Sequence, residues 1–303
     1  MISPKKFIKF LKNNGVEFFT GVPDSVLKNL INSFKKDDQK HIVAVNEGSA
    51  VGLGVGFYLA NKKMSCVYMQ NSGLGNAINP LISVAHKSVY SIPMLLLIGW
   101  RGAPGYKDEP QHVTKGKITP DILNLLKIKY LKVSKDLDFL AVKKLIQYSK
   151  KKEQPVAILF KKDCFKNEYS QKFKNTNQIS RKDVITELLK NLSSKTKLIS
   201  STGYISREVL RIRKEKAKNH FFMVGGMGHS SSVALGAAIN SKKKIVCLDG
   251  DGSLIMHMGS LLTNSVYGNK KFKHIVLNNN SHESVGGYKT NAKNINFKFL
   301  SKS

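Results

Sequence analysis

KIVCLDGDGSLIMHM (residues 244–258) and KHIVLNNNSHES (residues 273–284) are the two stretches whose reading decides the fold. Each opens with a short apolar, β-branched run and then breaks into Gly, Asp, Asn and Ser, as a buried strand followed by a loop does. The first run predicts a strand over 244–248 and a helix over 253–266, and the second a strand over 273–277. Two strands joined through a helix lie parallel, so Gly250-Asp251-Gly252 and Asn278-Asn279 come to one edge of one sheet. A carboxylate, an amide oxygen and a free backbone carbonyl there make an oxygen-only donor set. A hard cation such as Mg²⁺ prefers that set, with phosphate oxygens completing its octahedron. Gly250 and Gly252 let the backbone approach a diphosphate, and a helix starting near Ser253 offers N–H donors. A lone Gly-Asp-Gly is an ordinary tight turn. The paired Asn-Asn after the next strand makes the combination specific.

Outward from this pair the chain keeps alternating. Strand-like runs fall at 16–19, 41–45, 65–70, 93–98, 130–133 and 155–160, with helical patterns at 48–61, 76–88 and 137–152 between them. Before them, Ser3 and Pro4 predict the start of a helix, Phe7, Ile8 and Leu11 share one face, and Gly15 ends it. The polar stretch 161–180 breaks the pattern, and alternation then resumes with helices at 181–191, 205–213 and 229–240 and strands at 196–200 and 220–224. The expected architecture is α/β: two doubly wound parallel-sheet domains, residues 1–165 and 181–303, joined by a linker at 166–180. With four strands against six, the second domain is expected to be incomplete at its C-terminal side.

Composition limits the function classes. Of 303 residues, 41% are hydrophobic and 9% aromatic, enough for packed cores and too much for a disordered chain. No apolar run approaches the roughly 20 residues of a spanning helix, so no membrane association is expected. The N-terminus reads as a domain helix and not a signal peptide. Cys66, Cys164 and Cys247 have neither a disulfide nor a metal-ligand spacing, and a reducing, cytoplasmic setting is expected. Lys plus Arg is 50 against 20 Asp plus Glu, a net charge of +30. Only five of the basic residues are Arg, and Lys is spread over nearly every segment. That is a bias of solvated faces, unlike the Arg forks and stacking aromatics of a nucleic-acid site, so no nucleic-acid partner is expected. Such a surface still draws a small polyanion. Gly226-Met227-Gly228 mimics a dinucleotide fingerprint, but Ser231 replaces its third Gly, and a nicotinamide site leaves Glu47 and the Asn pair unexplained.

The GDG and NN pair is the thiamin diphosphate (ThDP) motif, and over nearly its whole length the chain resembles the ThDP-dependent decarboxylases. TGVPDS (20–25), NEGSAVGLGVGFYLA (46–60), QNSGLGNAINPL (70–81), GWRGAPGYKDEPQH (99–112), SSTGYISRE (200–208), GGMGHSSSVALG (225–236) and LNNNSHESVGG (277–287) carry the likeness. They are most like members acting on 3-phosphonopyruvate. The resemblance implies a pyrimidine-binding and a diphosphate-binding domain, and a homo-oligomer, at least a dimer, with shared sites. It implies metal ligation by Asp251, Asn279 and the Ser281 carbonyl. Glu47 is implied at N1′ of the aminopyrimidine, Met227 under the bent cofactor, and the Gly225 carbonyl at its 4′-amino group. Glu47 follows a strand and opens a small-residue helix, so burial is expected to raise its pKa.

The implied reaction is ThDP- and Mg²⁺-dependent decarboxylation of 3-phosphonopyruvate to 2-phosphonoacetaldehyde and CO₂, a step of phosphonate biosynthesis. Sulfopyruvate or another 2-oxo acid is the alternative substrate. A truncated, non-catalytic chain or basic binding protein is the alternative of another class. Asp24 and His112 are candidates for proton handling, and Ser25, Arg101, Lys107, Gln111 and His282 for holding the substrate anion. Asp24 as a helix cap and Lys107 paired with Asp108 or Glu109 are the plainer readings.

Overall fold

The computed structural model describes residues 1–34, 40–168, 179–213 and 220–300. The chain divides into two compact units, Met1–Lys172 and Phe173–Ser303. Of the expected linker 166–180, residues 169–178 lie outside the described residues.

The first unit runs α1 (Pro4–Asn13), β1 (Val16–Gly21), α2 (Lys28–Ile31), β2 (His41–Val43), α3 (Glu47–Asn61), β3 (Met64–Gln70), α4 (Leu74–Pro80), β4 (Met94–Gly99), α5 (Pro110–Leu125), β5 (Lys129–Val133), α6 (Phe139–Lys152) and β6 (Val156–Phe160). Its six strands lie in the order β2-β1-β3-β4-β6-β5, every pair parallel. Alternate strand residues serve opposite faces. Val67, Met69, Leu96, Ile98, Ala157 and Leu159 pack with Ala50, Val51 and Val55 of α3. On the other face, the ring of Phe160 meets Phe7 of α1 edge-on at 5.8 Å. Burial on both faces explains why these strands read as continuous apolar runs.

The second unit runs α7 (Arg181–Asn191), β7 (Lys197–Ser200), α8 (Tyr204–Arg213), β8 (His220–Phe222), α9 (Ser230–Ile239), β9 (Ile245–Gly250), α10 (Asp251–Met256), α11 (Ser260–Tyr267), β10 (Phe272–Leu277), β11 (Ser281–His282), β12 (Tyr288–Lys289) and α12 (Phe297–Leu300). Its four parallel strands are ordered β10-β9-β7-β8. One face packs Leu198, Val246 and Leu248 against Ile185, Leu189, Ile205 and Val209. The other packs Ile199, Ile245 and Cys247 against Ala234 and Ala238. A small antiparallel hairpin, β11 with β12, follows the sheet.

Four local expectations are corrected. The helix read at 253–266 is two helices: it begins at Asp251, and His257 leaves the helical region at φ −135°, ψ 51° before α11 starts. The helix at 76–88 is α4 followed by a π-helical turn, Leu81–Ala85, because Pro80 contributes no N–H to continue the ladder. The loop at 99–112 ends at Glu109, whose extended backbone (φ −63°, ψ 146°) precedes Pro110 at the first position of α5. Gln111 and His112 are therefore helical. Strands expected to reach 45 and 224 stop at Val43 and Phe222. All three cysteines are free and buried, and no helix among the described residues is long and apolar enough to cross a membrane.

Candidate active site

In each sheet the chain reverses its winding at one crevice, between β1 and β3 in the first unit and between β7 and β9 in the second. Crevices of this kind, beyond the carboxyl ends of the strands, are where open α/β sheets bind ligands.

In the first unit, Asn46 caps α3 by accepting from the Ser49 N–H at 2.8 Å, and this places Glu47 in the first turn. Glu47 is 5% exposed. Its Oε2 accepts from Asn76 Nδ2 at 2.9 Å, while Oε1 lies in the space a Cβ of Gly73 would take. Burial raises its pKa, and the Asn76 hydrogen bond offsets part of that rise.

The loop after β1 carries Asp24, which is fully buried. Its Oδ2 accepts from the backbone N–H groups of Val26 (3.1 Å) and Leu27 (2.9 Å), and its Oδ1 from Gln70 Nε2 (2.9 Å). Burial raises its pKa against these three bonds. Both carboxylate oxygens are committed to holding the β1 loop against the end of β3; α2 begins only at Lys28, with Leu27 at its cap position, so Asp24 does not cap it. Ser25 beside it opens onto a cavity of about 390 Å³. That cavity is lined by Ser25, Lys28, Arg101, Lys107, Lys162 and, on the acidic side, Asp108 and Asp163. Arg101 forks onto Asp108 through Nε and Nη2 and donates to Ser25 Oγ from Nη1 at 3.2 Å. Asp108 is consequently held far below the usual carboxylate range by Arg101. The pairing expected for Lys107 with Asp108 is taken by Arg101 instead.

Gln111 and His112 sit in the first turn of α5 and do not line that cavity. His112 Nδ1 is buried without a hydrogen-bond partner. Burial, followed by the charge of Arg101, lowers its pKa and keeps the ring neutral.

In the second unit the parallel register sets Leu277 opposite Gly250, which brings the loops after β9 and β10 together. Asp251, 3% exposed, accepts from the backbone N–H groups of Gly252 and Asn279 and from Thr290 Oγ1. Burial raises its pKa, and these hydrogen bonds offset part of that rise. Asn279 Oδ1 accepts from the Ser281 N–H at 3.0 Å, and its Nδ2 donates to Glu283 Oε2 at 3.4 Å. Buried oxygens without partners, Asn280 Oδ1 and Ser281 Oγ, stand in the same loop. A buried carboxylate, brought by the strand register to a loop that holds amide and unpartnered hydroxyl oxygens, fits a hard divalent ion.

Met227 lies half-buried between two left-handed glycines, Gly226 (φ 67°) and Gly228 (φ 91°), in the loop after β8 that also holds Gly225. Ser253 Oγ accepts from the Gly228 N–H at 3.0 Å and ties this loop to α10. The His282 ring rests on Gly252, where a Cβ would stand 2.6 Å from its Cε1, and burial lowers its pKa to about 4. His282 is packing for the loop, neutral near pH 7.

Several partners of these residues escaped the sequence: Asn76 for Glu47, Gln70 for Asp24, Asp108 for Arg101 and Thr290 for Asp251. Only Thr290 left a trace, in the Gly286-Gly287 pair (φ 125° and 78°) that folds β12 back onto β11.

Residues 5–125 match the thiamine pyrophosphate enzyme N-terminal TPP-binding domain, and residues 201–300 match its C-terminal TPP-binding domain. The chain belongs to the thiamine pyrophosphate enzyme family. Within that family it is 32% identical to phosphonopyruvate decarboxylase of Streptomyces viridochromogenes, over 96% of this chain and 77% of that one. It is 27% identical to sulfopyruvate decarboxylase of Methanosarcina acetivorans, over 96% and 79%. Benzoylformate decarboxylase from Polynucleobacter necessarius, a solved structure, covers 82% of this chain at 17% identity and a TM-score of 0.43, and the chain spans 44% of that protein's length. By family this thiamine pyrophosphate enzyme is a 2-oxo acid decarboxylase, a carbon–carbon lyase.

Proposed function

We propose that this enzyme decarboxylates 3-phosphonopyruvate to 2-phosphonoacetaldehyde and CO₂, using ThDP and Mg²⁺, and that it works as a homo-oligomer, at least a dimer. The observation that carries the substrate assignment is the cationic cavity at the end of β1, β4 and β6. Four cations line it against two carboxylates, and Arg101 is presented rigidly because Asp108 grips two of its donors. A phosphonate dianion suits such an excess of charge-assisted donors. Ser25, Arg101 and Lys107 are its proposed ligands, with Lys162 added by the structure. The identity to a phosphonopyruvate decarboxylase over 96% of the chain supports the same choice.

Asp251, Asn279 and the Ser281 carbonyl would hold Mg²⁺. The backbone from Gly250 to Ser253 would face the diphosphate, and Gly225 and Met227 would support the ring system. The chemistry that ThDP supplies when bound is storage of the electron pair left as CO₂ departs. Glu47 would hold or release a proton at the aminopyrimidine N1′, which its buried, pKa-raised carboxyl suits. His112, neutral and with an unpartnered Nδ1, is the proposed proton handler at the product. Asp24 would position the β1 loop.

The test is aldehyde release from 3-phosphonopyruvate and from 3-sulfopyruvate, followed through a coupled reductase, with and without ThDP and Mg²⁺. A higher kcat/KM for the phosphonate, abolished without ThDP, is expected. A higher kcat/KM for the sulfonate would replace the substrate, and turnover of neither acid would reject the activity.

A further inference from the structure

We propose that Arg181 is a positioning residue for the metal loop, acting through Glu283 on the side-chain amide of Asn279. The inference rests on the reading that Asp251, Asn279 and the Ser281 carbonyl hold Mg²⁺.

Arg181 stands at the first position of α7, where Ser180 caps the helix by accepting from the Asp183 N–H. A cation there faces the positive end of the helix dipole, so the helix itself gives no reason for it. Its donors are all directed elsewhere in the unit. Nε and Nη2 grip Glu208 on α8 at 2.9 and 2.8 Å, and Nη1 donates to Glu283 Oε2. The guanidinium also lies over the Tyr204 ring, 5.1 Å from its centroid. Glu283 sits four residues past Asn279, and the same Oε2 accepts from Asn279 Nδ2 at 3.4 Å.

An ionised carboxylate only accepts, so it selects the NH₂ end of the Asn279 amide and turns Oδ1 to the other side. Without Arg181, Glu283 would be a free carboxylate, able to swing toward the metal or solvent. With Arg181 in place, its charge is balanced and its Oε2 held. Outer partners of this kind set the orientation of a metal ligand, and losing one weakens metal binding about 10- to 100-fold.

The test measures Mg²⁺ affinity at saturating ThDP by calorimetry, alongside the thermal midpoint. Arg181→Met and Glu283→Leu, which removes the shared acceptor, should each raise the Mg²⁺ Kd by about 10- to 100-fold. Combined, they should cost no more than the worse of the two, because both break one path. Glu208→Gln, which breaks only the arm of Arg181 that points away from the loop, should lower the thermal midpoint and leave Kd within about twofold. Arg181→Lys, which keeps the charge without the fork, should fall between wild type and Arg181→Met. Additive losses in the double variant, or an unchanged Kd in Glu283→Leu, would overturn the proposal, even if Arg181→Met fails to fold. Asp251→Ala separates the two readings. If it abolishes Mg²⁺ binding while Arg181→Met and Glu283→Leu leave it intact, the positioning role alone is wrong. If Asp251→Ala itself leaves Kd unchanged, the metal site and this proposal fall together.

Discussion

Gly73 and Glu47 share one space: a Cβ on Gly73 would overlap the Glu47 carboxyl. Gly73 stands in the turn that leaves β3, at ordinary backbone angles (φ −79°, ψ −11°). The glycine is required for closeness and not for conformation. Gly73→Ala should therefore push Glu47 off Asn76. The expected result is a fall in kcat of tenfold or more with a loss of about 1–3 kcal/mol in stability. Steady-state kinetics and denaturant unfolding on the same variant check both.

Glu47 gives a pH signature. A carboxyl whose pKa is raised by folding stabilises the folded state below the unfolded pKa, near 4.5, and that contribution is lost as pH rises through the folded value. Glu47→Gln has no such proton to lose. Without cofactor, the variant should unfold at higher denaturant than wild type at pH 8, and the gap should close as pH approaches 4. Its kcat should fall about 10²–10⁴-fold. Equal pH profiles for the two proteins would remove the burial argument.

Asp24 separates positioning from proton transfer. Asp24→Asn keeps an acceptor for the Val26 and Leu27 N–H groups but turns an NH₂ toward the NH₂ of Gln70. A loss of about 1–3 kcal/mol is expected, visible as a lower denaturation midpoint. The double variant Asp24→Asn/Gln70→Glu presents the NH₂ with a carboxylate acceptor and should recover part of that loss. A variant with wild-type stability and abolished turnover would reinstate Asp24 as a proton-transfer group.

Arg101→Lys tests the cavity. Lysine cannot grip Asp108 with two parallel donors and still reach Ser25. KM for 3-phosphonopyruvate should rise about tenfold or more, with a smaller change in kcat, and saturation kinetics would show it. An unchanged KM would move the anion site elsewhere.

The sheet architecture was legible because the inner strands β1, β3, β4, β6, β7 and β9 are buried on both sides and read as apolar runs, Met94–Gly99 most plainly. Asp251 and Asn279 were legible for a related reason. Their loops follow two adjacent strands, and strand order alone brings them together. The break at His257 was hidden because Leu254, Met258, Leu261 and Leu262 keep a helical spacing across it. The engagement of Asp24 and Arg101 was hidden for another reason. Sequence shows a side chain's chemistry but not its partners, and Gln70, 46 residues from Asp24, is found only in three dimensions. Asp108 lies seven residues from Arg101, but Lys107 beside it was an equally good partner for that carboxylate.

The register that sets Leu277 against Gly250 also determines where the chain tolerates a change of length. The connection from His257 to Lys271 can gain or lose residues at its turns without moving Asp251 relative to Asn279, since the ladder re-forms beyond it. A single residue added within Phe272–Leu277 would do the opposite. It would turn every later side chain to the other face of the sheet, carrying Asn279 away from Asp251. Length variation among proteins of this architecture should accumulate in the one place and be absent from the other.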